Sequence, residues 1–347
     1  MKKSILIIVL LIVSVILLSY GLGSCRKNDK PYQLTLVQQE IPAGFPDPIY
    51  KFSDNPLSKE GIELGRQLFY DGRLSLDGKI SCASCHQQMG AFGTFEHDLS
   101  HGYNGSHTLR NAPVLFNLAW QDKFHWDGKF SSLFDEATQP ITGHIEMAES
   151  FNGVINKLQN DPGYCRQFRN VFNTKNISQE HILKALAQFT GSLISANSKY
   201  DRYKKGLATF TPLEENGYQI FKANCNVCHT EPLFTDYSLR NIGLPIDNFL
   251  NDFGKMGITN NPADSLKFKT PTLRNVYISS NFMHDGRFNT LSQCINHYRS
   301  GIKQSPTLDT LLINGIQLTD TEAINLALFL RTLTDSSFIQ DTRLSKP

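Results

Sequence analysis

The string Cys-x-x-Cys-His occurs twice, as Cys82-Ala83-Ser84-Cys85-His86 and Cys225-Asn226-Val227-Cys228-His229, each time within the same succession of features. Gly65-Arg66-Gln67-Leu68-Phe69 precedes the first pentad and Gly217-Tyr218-Gln219-Ile220-Phe221 the second. Thr108-Leu109-Arg110-Asn111 follows the first and Thr272-Leu273-Arg274-Asn275 the second; then Asp127-Gly128-Lys129-Phe130 with Leu133 returns as Asp285-Gly286-Arg287-Phe288 with Leu291. Shared features in one order define a duplicated unit. A chain of 347 residues, 40% of them hydrophobic, has material for two cores. The sequence therefore predicts two related halves, each built around its own pentad.

The local signals are helical. Ser58 is placed to cap a helix leading into the first pentad, and Thr211-Pro212-Leu213-Glu214 puts a cap, a first-turn proline and a capping-box glutamate before the second. Between the copies, Ile182, Leu183, Leu186, Ala187, Leu193 and Ile194 recur at helical spacing and predict an amphipathic core helix over Ser178 to Ser195. Near the end, Thr319-Asp320-Thr321-Glu322 is a second capping box, for a helix carrying Ile324, Ala327, Leu328 and Leu333. Strand signals are few and short. The expected fold is mainly α, with halves joined near residue 200.

The N-terminus addresses the chain out of the cytoplasm. Lys2 and Lys3 precede an uncharged apolar run from Ser4 to Tyr20, and Leu22-Gly23-Ser24-Cys25 ends it in the manner of a bacterial lipobox. Residues 1–25 are expected to be a lipoprotein signal with Cys25 acylated, an uncleaved membrane anchor being the alternative. Residues 26–45, without periodicity, are expected to be a tether, followed by an N-terminal domain over 46–200 and a C-terminal domain over 201–347. The membrane contact is then the lipid alone. The 34 basic and 32 acidic residues leave a net charge of +2, so no field points to nucleic acid. Of seven cysteines, Cys165 and Cys294 fall outside these motifs and either pair or stay as buried thiols.

A pentad has three chemical readings. Zinc requires four ligands, and the two pentads lie far apart, one per repeat, so each would need its missing ligands separately. A thioredoxin-like pair leaves the histidine after the second cysteine unexplained. Covalent haem explains every position: Cys82 and Cys85, or Cys225 and Cys228, add to the porphyrin vinyl groups, and His86 or His229 reaches the iron. Export agrees with two c-type haems.

Residues from about 46 to 335 resemble the bacterial di-haem cytochrome c peroxidases and the related MauG-type di-haem enzymes. The resemblance is carried by the paired pentads, TLRNAP at 108–113, FHWDGKF at 124–130, IEM at 145–147, and FKTPTLRN followed by FMHDGRF within 268–288. It implies two cytochrome c-like helical domains with one covalent haem in each. It implies a peroxidatic N-terminal haem with His101 as displaceable distal ligand, His97 and His107 standing close by in sequence. Glu146 takes the place of the catalytic acid-base, Trp126 that of an aromatic between the haems, and Glu136 stands where a glutamine is common. Asn111 with backbone carbonyls of Ser279 and Asn281 matches a calcium site, an oxygen-only set suited to a hard cation.

The sixth ligand of the second haem departs from the peroxidase pattern. Where those enzymes carry a methionine fourteen residues beyond the histidine of FMHDGRF, this chain has Tyr298, as in the MauG-type branch, with His297 and Met283 as neighbouring alternatives. The resemblance thus implies an exported, periplasmic peroxidase reducing hydrogen peroxide with electrons from a small cytochrome c or copper protein, and is compatible with a homodimer. A MauG-like oxidase of a protein substrate is the alternative, and a plain electron carrier a third reading.

Overall fold

The computed structural model describes residues 32–347. The leader, Cys25 and the start of the tether lie outside the described residues; among the described ones, no helix is long and apolar enough to cross a membrane. Leu34–Pro347 forms one compact unit. The stretch expected to be tether is bonded to that unit from Thr35 onward: Val37 N–H donates to Leu57 O (2.9 Å), Lys59 N–H to Thr35 O (2.9 Å), and Gln39 Nε2 to Tyr50 O (3.0 Å). Phe45 explains the anchoring, since its ring meets Trp120 edge-on and lies beneath the Arg274 guanidinium.

The expected helices form with the expected caps. Lys59–Tyr70 starts at Ser58, whose side chain accepts from Gly61 N–H, and Pro212–Asn224 starts at the Thr211–Glu214 capping box. The first pentad forms its own short helix, Cys82–Cys85, whereas in the second half Cys225 directly caps the end of Pro212–Asn224. The first half also contains Phe151–Gln159 and Pro162–Phe172. Leu239–Arg240 and Phe268–Lys269 make the one sheet among the described residues, an antiparallel pair in which Leu239 faces Lys269.

In each half the helix ahead of the pentad crosses a later one, Gln179–Gly191 or Asp320–Arg331, at a glycine. A Cβ on Gly65 would stand 2.0 Å from Ala185 O and 2.8 Å from Phe189 Cβ; one on Gly217 would stand 1.9 Å from Asn325 O and 2.9 Å from Phe329 Cβ. The recurring glycine is thus the contact that lets two helix backbones touch. The two crossings seed two apolar clusters, one through Leu64, Leu68, Phe69, Leu186 and Phe189, the other through Tyr218, Phe221, Leu326 and Phe329. Leu233 and Phe338, from the second half, pack into the first cluster.

Both closing helices correct the expectation in detail. The helix expected to reach Ser195 is Gln179–Gly191, and its second half, Ala185 to Gly191, is buried all round rather than along one face. It stops because Asn117 binds the chain beyond it, donating N–H to Leu193 O (2.8 Å) and accepting from Ser195 N–H (3.0 Å). In Asp320–Arg331 the buried residues are Asn325, Leu326, Phe329 and Leu330, while Ile324 is 61% exposed. Contact of the Asn325 carbonyl with Gly217 sets the helix rotation, turning Ile324 outward.

The repeat register is also corrected. Asn275 donates N–H to Leu333 O (3.1 Å) and accepts from Asp335 N–H (2.8 Å), the same pair of bonds that Asn117 makes. Both asparagines are left-handed, φ 55° and 59°. Asn275 therefore corresponds to Asn117, and the equivalent strings are Ala112-Pro113-Val114-Leu115-Phe116-Asn117 and Thr270-Pro271-Thr272-Leu273-Arg274-Asn275. The shared TLRN letters mislead because hydrogen bonding, not local spelling, fixes the correspondence.

Candidate functional site

Each pentad histidine is held by backbone carbonyls through its Nδ1. His86 Nδ1 lies 3.0 Å from Phe92 O, and His229 Nδ1 lies 3.3 Å from Phe234 O and 3.1 Å from Pro271 O. A carbonyl can only accept, so Nδ1 carries the hydrogen and Nε2 presents a lone pair. Phe92 and Phe234 adopt φ 58° and 57°, and their carbonyls also accept from Leu115 and Leu273 N–H, both at 3.1 Å. Burial pushes the His86 imidazole down to about 4, against the Phe92 and Pro113 carbonyls, and lowers His229 likewise. Both are neutral donors suited to a metal.

Two cavities open beside these histidines. The N-terminal one, about 480 Å³, is bounded by Cys82, Cys85 and His86; the C-terminal one, about 250 Å³, by Cys225, Cys228 and His229. Burial pushes the Cys82 and Cys225 thiols up to about 12. No cysteine among the described residues is in a disulfide: Cys165 Sγ donates to Gln159 O (3.0 Å), and Cys294 lines the C-terminal cavity. The cavities share a wall made of residues 111–114, Gln121, Trp126 and Lys269.

The N-terminal cavity contains both carboxylates singled out in the sequence. Burial pushes the Glu136 carboxyl up to about 7, and raises Glu146 against the opposing effects of a Gln139 hydrogen bond and the Lys129 charge. Lys129 Nζ donates to Gln139 Oε1 (2.7 Å), so the amide stands between cation and carboxyl. Glu146 lies in a turn, and its carbonyl accepts from Tyr103 N–H (2.7 Å), tying the segment around His101 to it. His101 lines this cavity, with its ring centroid 4.9 Å from that of His97 and 4.6 Å from that of His107, neither of which reaches the wall.

The C-terminal cavity is lined by Arg240, Lys269 and Arg274 and by no carboxylate. Arg274 is bound by Asp201 through both terminal nitrogens (2.9 and 2.8 Å). Tyr298 lines the cavity from the π-helical turn His297–Gly301, and burial raises its phenol strongly, with the nearby Cys294, Cys225 and Cys228 adding to the rise. Met283 lines it too, but His297 does not; its Nε2 is spent on Ile242 O (3.0 Å). Trp126 stands on the shared wall, its Nε1 donating to Asn111 O (2.8 Å) and its edge toward His284 at 6.5 Å. Asn111, Ser279 and Asn281 all line the C-terminal cavity; Ser279 Oγ donates to the Asn281 carbonyl (2.9 Å) and Asn111 Nδ2 to Asp98 O (2.9 Å). Sequence reasoning missed Gln139 and Lys269; the aligned Asn111 and Lys269, each before an x-Pro-x-Leu-x-Asn string, would have placed Lys269 at the shared wall.

The di-haem cytochrome c peroxidase family matches residues 59–209. MauG of Methylorubrum extorquens is 35% identical over 80% of this chain and 79% of its own length, and the cytochrome c551 peroxidase of Nitrosomonas europaea 32% over 80% and 81%. A crystal structure of a MauG-like protein associated with microbial copper homeostasis superimposes with a TM-score of 0.81 at 32% identity, covering 90% of this chain and 99% of that one. The chain therefore belongs to the di-haem cytochrome c peroxidase family, with the mainly helical, cytochrome c-like fold of that class. Membership implies two c-type haems. The residues fit them: paired thiols beside a neutral imidazole with a bare Nε2 in each cavity, and in the C-terminal one a buried Arg240 Nε without a hydrogen-bond partner.

Proposed function

We propose that this protein is an exported, periplasmic enzyme, lipid-anchored at Cys25, that reduces hydrogen peroxide to water in its N-terminal cavity. A small redox protein, a cytochrome c or a copper protein, delivers the electrons to the C-terminal haem. The observation that carries this reading is the inequality of the cavities: one histidine scaffold built twice, with carboxylates lining the N-terminal cavity alone. When bound, each haem would be held by His86 or His229 and would supply a redox-active iron, the N-terminal one the site of peroxide chemistry.

Reduction of peroxide to two waters consumes two electrons and two protons. Glu146 is the proton carrier, taking a proton from one peroxide oxygen and returning it to the other, which leaves as water. Burial raises its proton affinity, which favours taking up a proton, and its hydrogen bond with Gln139 orients it. Glu136 is a second protonatable group on the same wall. His101, on the wall of the same cavity, would serve as a displaceable ligand of the N-terminal haem, and Trp126 as the electron path across the shared wall. Asn111 with the Ser279 and Asn281 carbonyls would hold a calcium ion beside that path.

Tyr298 supports a second reading. A phenolate on the C-terminal iron favours the ferric and more oxidised states, as suits a MauG-like oxidase drawing electrons from a protein partner's side chain. Optical and EPR spectra of the resting protein, followed by peroxide with and without reduced cytochrome c, separate the two. Multiple turnovers with cytochrome support the peroxidase; peroxide consumption without cytochrome turnover supports the oxidase; haems inert to peroxide overturn both. Tyr298→Met is expected to raise the potential of the C-terminal haem. An unchanged spectrum in Tyr298→Phe removes the phenolate from the site.

A further inference from the structure

Lys269 is unusual among the described residues. It is 7% exposed, and the other buried cation, Arg274, has a carboxylate partner while Lys269 has none. Its Nζ makes one hydrogen bond, to Gln121 Oε1 (3.1 Å), and faces the Tyr237 ring at 5.7 Å. Asp122, whose charge acts on it, is already ion-paired with Lys123. An ammonium has three donors, and burying one without a counter-charge is costly even after relaxation. A site that keeps such a group is built to receive an anion.

The location identifies the anion. Lys269 is the one lysine or arginine on the wall shared by both cavities. The C-terminal cavity, with Arg240 and Arg274 besides Lys269, has no carboxylate of its own. Arg240 is already paired with Asp236 and Asp309, and Arg274 with Asp201, so Lys269 is the lining cation left without a carboxylate; a haem carries two propionates, and one of them supplies that counter-charge. The backbone adds a link: Lys269 N–H donates to Trp126 O (2.6 Å), while its pairing with Leu239 holds the segment in register.

We propose that Lys269 is a shared haem-binding cation, salt-bridged to a propionate at the wall between the two haems, and that its charge holds up the reduction potentials of both. A positive charge favours the state that has gained an electron, and in a low-dielectric wall it acts on both irons. Through its bond to the Trp126 carbonyl, the same residue fixes the aromatic between the sites. This inference rests on the two-haem reading above.

The test is potentiometric titration of the holoprotein, followed optically, for wild type, Lys269→Met and Lys269→Arg. Lys269→Met is expected to keep two covalent haems by pyridine haemochrome assay and to shift both midpoint potentials downward; Lys269→Arg restores them. Unchanged potentials, or a shift in one haem alone, overturn the proposal. Should Lys269→Met fail to mature, Lys269→Gln is read in the same titration. Resonance Raman of the wild type gives an answer without any variant: propionate bending bands at the hydrogen-bonded position are expected, and bands at the free-carboxylate position overturn it. A wild-type haem count below two would sink the two-haem reading itself, a different result from two haems with unmoved potentials.

Discussion

The two halves share a frame and differ in what faces the cavity. Each has a glycine crossing, a left-handed phenylalanine whose carbonyl takes the histidine Nδ1, and a left-handed asparagine that binds the chain beyond the closing helix. Around the N-terminal cavity this frame holds Glu136, Glu146 and His101; around the C-terminal one it holds Tyr298, Met283 and three cations. Duplication thus conserved the parts that orient a metal ligand and released the opposite wall. Chemistry diverged where no backbone bond depends on the side chain.

The largest expected effect strikes the N-terminal wall. Glu146→Gln should lower peroxide turnover roughly 10²- to 10⁴-fold, the usual contribution of a positioned proton carrier, with both haem spectra intact. Near-normal turnover at saturating donor would mean the cavities differ in lining but not in role.

The next prediction concerns the C-terminal frame. Asp201→Asn leaves Arg274 buried and unpaired and should cost about 3–5 kcal/mol in urea unfolding. Burial pushes the Asp201 carboxyl up, but the Arg274 hydrogen bonds and charge outweigh it and hold the group below its ordinary value. Its folded-state value being depressed, the stabilisation is full above the unfolded value and fades as pH falls through the folded one. The variant should therefore lose part of the steep acid destabilisation below about pH 4. Identical acid limbs for both proteins would show that the pair carries no such linkage.

A smaller effect tests whether the frames are equivalent. Gly65→Ala and Gly217→Ala each push a methyl against a helix carbonyl and should cost about 1–3 kcal/mol, by similar amounts. Thermal unfolding that tolerates one and not the other would make one crossing a looser copy. The smallest effect is expected at Ile324→Ser, within about 0.5 kcal/mol, because the side chain faces water. A loss of several kcal/mol would return Ile324 to the core and restore the helix face read from periodicity.

Much of this was legible in the chain. Caps at Ser58, Thr211 and Thr319 and the pentads are short-range signals, read without knowing what lies across the molecule. The closing helices also carry a shared spelling, Leu186-Ala187-x-Phe189 with Leu193 and Leu326-Ala327-x-Phe329 with Leu333, which would have revealed the inward face and the true repeat register. The TLRN match hid it, because four common residues recur by coincidence more easily than a hydrogen-bond pattern does. Arg110, in the first TLRN, is bound instead to Asp127 and Asp252.

By itself the sequence determined that the chain is duplicated, mainly helical, and equipped to bind a metal macrocycle in each half, because these depend on residue type at fixed short spacing. Only the tertiary structure decided which side chains share a cavity. Glu146 meets the first pentad, Tyr298 the second, and Lys269 both, through contacts between segments far apart in the chain. Helix rotation at Gly217 and the burial that shifts Glu136 and Lys269 have the same origin: they depend on what packs against a residue, which spacing along the chain does not encode.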